Sequence, residues 1–142
     1  MTPAQIHAVQ TSFEAVAPQA EAVAAQFYGH LFAQHPELRP LFRGEIRTQG
    51  QMLMQTLALA VRGLHMAPAL VPTLRRLGDR HRQYGVRAEH YPMVAASLLW
   101  TLEQGLGAAF TDELREAWTA AYGLLAGVML QGAEAAATPA AA

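Results

Sequence analysis

Prolines and glycines cut this chain into stretches of helix length, and no stretch between them carries a run of β-branched residues. Alanine, leucine, glutamine and glutamate fill those stretches, which favours helix over strand throughout. The punctuation predicts an all-α fold of six long helices plus one short helix. The first covers about residues 3–17, with Pro3 in the first turn, where a missing N–H is no loss. Pro18 marks a boundary, and a second helix covers about 19–34. Pro36 and Pro40 bracket a short segment ending at Phe42. A third long helix covers about 47–64. "HMAPALVP" then interrupts with two prolines, and a fourth helix follows, with Gly85 as its C-terminal cap. The fifth occupies about 91–106, and the sixth follows Thr111, its N-cap, to about Gln131. "AEAAATPAAA" has little to bury and reads as disordered. One domain therefore spans residues 1–132, and 133–142 form a disordered Ala-rich tail.

A chain of 142 residues fits one domain, and burial of about 70% of the unfolded surface is within its reach. Its net charge is −1 and it has no basic block, which argues against a nucleic-acid partner. Apolar runs such as "LALAV" and "LLAGVML" are far too short to span a bilayer, so no membrane insertion is expected. The start "MTPAQIHAVQ" lacks a charged region followed by an apolar one, so no signal peptide is expected. There is no cysteine. Any bound metal must then use histidine, carboxylate, methionine or tyrosine, and a cytoplasmic location is the simplest expectation.

Leu70, Leu74, Leu77, His81 and Tyr84 fall on one helical stripe, while Arg75, Arg76, Asp79, Arg80 and Arg82 occupy the remaining surface. An imidazole thus takes a core position. Two readings compete: a buried histidine paired with a carbonyl or carboxylate, and a metal ligand, which burial favours by keeping the ring neutral. Two further polar groups share inward stripes. Gln49 heads Leu53, Leu57, Ala60 or Val61, and Leu64; Tyr28 lies with Ala24, Leu31 and Phe32. Taken singly, the glutamine reaches water at a helix end and the tyrosine finds a carbonyl. Buried polar groups cost about 1–3 kcal/mol each when unpaired, so three in one small core point to something polar between them. A metal-centred cofactor fits, bound by the imidazole on one side and facing the amide and phenol on the other.

"FYGHLFAQHPELRPLF", "RHRQYGV", "EHYPMV" and "AWTAAYG" follow one another in the order and spacing of a known group. Over about residues 5–130 the chain resembles bacterial single-domain globins of the flavohaemoglobin lineage. That resemblance implies a globin fold, a three-on-three helical sandwich, holding haem b. His81 would be the proximal ligand to iron and Phe42 would pack on the porphyrin. Tyr28 and Gln49 would be the distal hydrogen-bond donors, with Leu53 capping their pocket. Tyr91 would stand behind the proximal histidine. Leu57, Leu77, Tyr84, Val86 and Val94 complete the implied cofactor lining, and Trp118 and Tyr122 would be structural. One departure concerns the last helix, where the lineage carries a glutamate supporting the proximal side. Its register falls on Ala133, and Glu134 comes one residue late, so His81 is expected to lean on a backbone carbonyl instead.

The implied function is reversible O₂ binding at a five-coordinate haem iron, with CO and NO as further gas ligands. The alternative is nitric oxide dioxygenation. The sequence has no dinucleotide-binding glycine pattern, so that reaction would need a separate reductase. A haem-free helical interaction module is the third reading. His7, His30, His35, His65 and His90 are expected to be solvated or structural, and Met52, Met54 and Met66 to pack in the core rather than serve a cofactor.

Overall fold

Capping chemistry starts the first and last helices where the sequence places it. In the computed structural model, which describes residues 1–137, the Thr2 hydroxyl accepts from the Gln5 N–H at 3.1 Å and the Gln5 side chain accepts from the Thr2 N–H at 2.9 Å. This reciprocal box satisfies two donors that a helix start otherwise leaves orphaned. It opens α1 (Pro3–Val16). Thr111 accepts from the Leu114 N–H at 3.2 Å and opens α6 (Asp112–Ala137). Between them lie α2 (Ala20–Gln34), α3 (Ile46–Arg62), α4 (Ala67–Gln83) and α5 (His90–Leu106). The described residues contain no strand.

Three features differ from expectation. Four short 3-10 segments join the helices, Ala17–Gln19, Pro36–Leu41, Leu64–Met66 and Gly107–Ala109, where the sequence predicts one short helix. Three of them are single turns, too brief to leave a periodicity. Next, α4 absorbs most of "HMAPALVP" instead of starting after it. Pro68 sits in the first turn, where no N–H is required, and Pro72 lies inside the helix, where only the bond back to the Pro68 carbonyl is lost. Finally, α6 continues to Ala137. The predicted tail is therefore helical over residues 133–137, because alanine is the strongest helix former and nothing stops the helix. The rest of that tail, residues 138–142, lies outside the described residues.

The helices pack with α1 on α3, α5 and α6, α2 on α3 and α5, and α4 on α6. Val9, Phe13, Leu31, Val61, Leu102 and Trp118 are fully or almost fully buried where they meet. First and last helices are tied by a buried hydrogen bond, from the Trp118 indole N–H to the Ser12 hydroxyl at 2.9 Å. The α2–α3 crossing is close because Gly50 faces the Ala24 methyl, and a Cβ at 50 would lie 2.9 Å from it. On the other side of the molecule, α4 packs chiefly on α6. The pairs α2–α3 and α4–α6 carry the residues of interest.

Candidate functional site

Tyr28 stands on α2 inside an aromatic cluster. Its ring lies 5.0 Å from Phe27, 5.7 Å from Phe32 and 5.3 Å from Phe42, centre to centre. These contacts fix the phenol while leaving its hydroxyl one long bond, donated to the Gln49 carbonyl at 3.4 Å. Burial pushes the Tyr28 phenol up to about 12, so it stays a neutral donor across ordinary pH. Gln49, on the first turn of α3, does not turn its amide toward that hydroxyl. Its Nε2 donates to the Arg43 carbonyl at 2.8 Å and ties α3 to the loop before it. Leu53 and Leu57 are half-buried on the same helix and pack against the core.

His81 stands on α4. Its Nδ1 lies 2.8 Å from the Leu77 carbonyl oxygen. A carbonyl can only accept, so Nδ1 carries the proton and Nε2 presents a lone pair. Burial holds the imidazole below its usual range, and the Leu77 bond only partly offsets that. The ring is therefore neutral at neutral pH, as a metal ligand must be. The turn that carries it is locked at its end. The Val86 N–H donates to the His81 carbonyl at 2.9 Å and the Gly85 N–H to the Arg82 carbonyl at 3.0 Å, with Gly85 at φ +98. This is a Schellman cap, and glycine is the residue it favours. Gly85 is thus the cap the sequence predicts.

His81 makes no hydrogen bond or ring contact with Tyr28 or Gln49 among the described residues. The two sides meet through the 3-10 segment Pro36–Leu41, since Gly85 faces the Leu41 side chain and Phe42 follows directly. Tyr84 caps the end of α4 and is 55% exposed, its ring 6.3 Å from that of His81, so the inward stripe stops short of it. Leu77 and Val86 are half-buried beside His81. Tyr91 is buried at the start of α5, and its carbonyl accepts from the Tyr122 hydroxyl at 2.7 Å. Burial raises both phenols, and the nearby Tyr91 adds to the shift at Tyr122. Val94 is half-buried and packs against the core. Arg82 pairs with Asp79 at 3.0 Å. Met54 is buried in the core, whereas Met52 and Met66 are more than half exposed.

The donor set selects the kind of metal group that fits. No cluster of three or more histidine, cysteine or acidic side chains occurs among the described residues. A bare ion would find one nitrogen and little else. A metal that brings its own equatorial donors needs only the single axial nitrogen that His81 offers, and a porphyrin iron is such a metal.

The globin family model matches residues 25–129. The chain belongs to the globin family. It has the globin fold expected from its sequence. Among curated relatives, the flavohemoprotein of Halalkalibacterium halodurans is 32% identical over 126 residues, covering 87% of this chain and 31% of the relative. That of Bordetella parapertussis is 40% identical over 114 residues, covering 78% of this chain and 28% of the relative. The chain thus spans less than a third of the length of these relatives. Among solved structures, an engineered carbene transferase made from a candidate nitric oxide dioxygenase of Rhodothermus marinus superposes with a TM-score of 0.86 at 29% identity. That match covers 96% of this chain and 95% of the other.

Residues that the sequence stripes leave unnamed also build the site. Gly50 sets the approach of α3 to α2, and Gly78 and Gly132 set that of α4 to α6. Isolated glycines inside helical patterns are the available signal for such close contacts.

Proposed function

We propose that the chain holds haem b through Nε2 of His81 and binds O₂ reversibly on the opposite side, under Tyr28. One observation carries this reading: a neutral, half-buried imidazole whose Nδ1–H is engaged by Leu77, leaving Nε2 as a lone metal-binding nitrogen. Haem, when bound, would supply an iron able to take up a gas. The chain does the rest. The Leu77 carbonyl fixes the tautomer and orientation of the imidazole, and the cap at Gly85 holds the turn that carries it. Phe27, Phe32 and Phe42 hold the Tyr28 phenol in place. Its bond to the Gln49 carbonyl is long, so redirecting it toward a ligand costs little. The Gln49 amide is a second donor, but it must first leave a short bond to Arg43.

Nitric oxide dioxygenation is a second reading, favoured by the likeness to the Rhodothermus marinus protein and to flavohemoproteins. It would need electrons from a reductase. The test is reconstitution of the purified chain with haemin, followed by absorption spectra of the ferric, ferrous, O₂ and CO forms. A five-coordinate ferrous spectrum that converts reversibly with O₂ is expected, and His81→Ala should abolish it. A sample that stays colourless supports the haem-free module instead. An unaltered spectrum in His81→Ala overturns the assignment of the ligand.

A further inference from the structure

Between α4 and α6 the contact is backbone against backbone. A Cβ built at Gly78 would overlap the Met129 carbonyl oxygen and lie 2.7 Å from the Met129 Cα. One built at Gly132 would overlap the Arg75 carbonyl oxygen and lie 2.7 Å from the Arg75 carbonyl carbon. The two contacts are reciprocal: residue 78 meets 129, and residue 132 meets 75, so the helices run antiparallel through a seam of two glycines. Both glycines are buried. No side chain stands in the seam that could rotate away from an added methyl group. The helices themselves would have to part, by about 1 Å or more, to restore ordinary carbon–carbon contact.

That seam lies one turn before His81, on the helix that packs chiefly on α6. We propose that Gly78 and Gly132 are positioning residues for the axial ligand: by letting α4 rest directly on α6, they set where Nε2 of His81 stands. The proposal rests on His81 binding haem iron. Metal–nitrogen distances fall within about 0.2 Å of their usual values, so an enforced shift of α4 passes to the imidazole torsions, the cofactor position or the strength of the bond. Gly123 and Gly127, also on α6, have nothing within 4 Å of a built Cβ and serve as controls of the same substitution on the same helix.

The experiment compares haem-loaded parent, Gly78→Ala, Gly132→Ala and Gly127→Ala. Three readouts are taken: circular dichroism, haemin titration of the apoprotein, and the iron–imidazole stretching band of the ferrous form by resonance Raman. A parent without that band defeats the underlying reading of His81 and not the seam. With the band present, the seam variants should shift it and weaken haem binding at least about tenfold, while Gly127→Ala matches the parent. The same variants are then made in His81→Gly supplied with free imidazole, where the axial ring is no longer attached to α4. There the Gly132→Ala shift should vanish. An unshifted band in both seam variants, or a shift that survives in the untethered background, overturns the proposal. Failure of both seam variants to fold while Gly127→Ala folds also overturns it, since the seam would then serve folding alone.

Discussion

Tyr28→Phe isolates one oxygen atom. The substitution keeps the ring among Phe27, Phe32 and Phe42 and removes only the hydroxyl. In the ligand-free protein that hydroxyl makes a single bond of 3.4 Å to the Gln49 carbonyl, so stability should fall by less than about 1 kcal/mol. The larger effect appears when O₂ is bound. Bound O₂ carries partial negative charge, and a hydrogen bond to a charged acceptor contributes about 1.5–3 kcal/mol. At about 1.4 kcal/mol per decade, O₂ should leave the variant roughly 10–100 times faster. CO carries less charge, and its dissociation should change far less, which separates a lost donor from a loosened pocket. Because the phenol stays protonated up to about 12, the difference should persist unchanged from mildly acidic to mildly alkaline pH. Stopped-flow displacement of O₂ by CO measures the rate. Equal O₂ dissociation rates in parent and variant would refute the role given to this hydroxyl.

Gln49→Leu should change O₂ dissociation less than Tyr28→Phe, because its amide is occupied at 2.8 Å by the Arg43 carbonyl; hydrogen exchange of residues 43–45 should rise instead. Ser12→Ala leaves the buried Trp118 indole N–H without its acceptor at 2.9 Å and should lower stability in urea by about 1–3 kcal/mol. For pH, His81 in the folded apoprotein lies below the usual imidazole range. Its contribution to stability is complete above that range and is lost as pH falls through the lowered folded value. Urea unfolding of apoprotein should therefore weaken more on mild acidification in the parent than in His81→Leu, and equal pH slopes would count against a buried neutral ring.

The sequence makes legible those features that repeat along a helix or end one. The stripe through Leu74 and Leu77 to His81 places the imidazole correctly, and Gly85 ends that helix as a C-terminal glycine should. The expected backbone carbonyl behind the imidazole is that of Leu77, four residues earlier on the same helix. Other features depend on contacts across the fold. The stripe does not tell Gln49 to choose the Arg43 carbonyl, which the irregular segment before α3 brings back to it. Tyr84 keeps the spacing of the stripe but lies where the helix stops, so the pattern outlasts the surface it describes. Pro72 reads as a break, although the loss of one helical bond is tolerated in a helix held by α6. The seam of Gly78 and Gly132 pairs residues far apart in sequence, and only the meeting of two helices gives those glycines their meaning.

The bond between Trp118 and Ser12 spans 106 residues, and that separation orders events on the ribosome. Helix α1 leaves the ribosome before α6, with Val9 and Phe13 facing a partner not yet made. At typical synthesis rates the indole follows roughly 5–20 s after the serine. Until then α1 can rest only on α3 and α5, so the nascent globin leaves the face that α6 will cover open to chaperones.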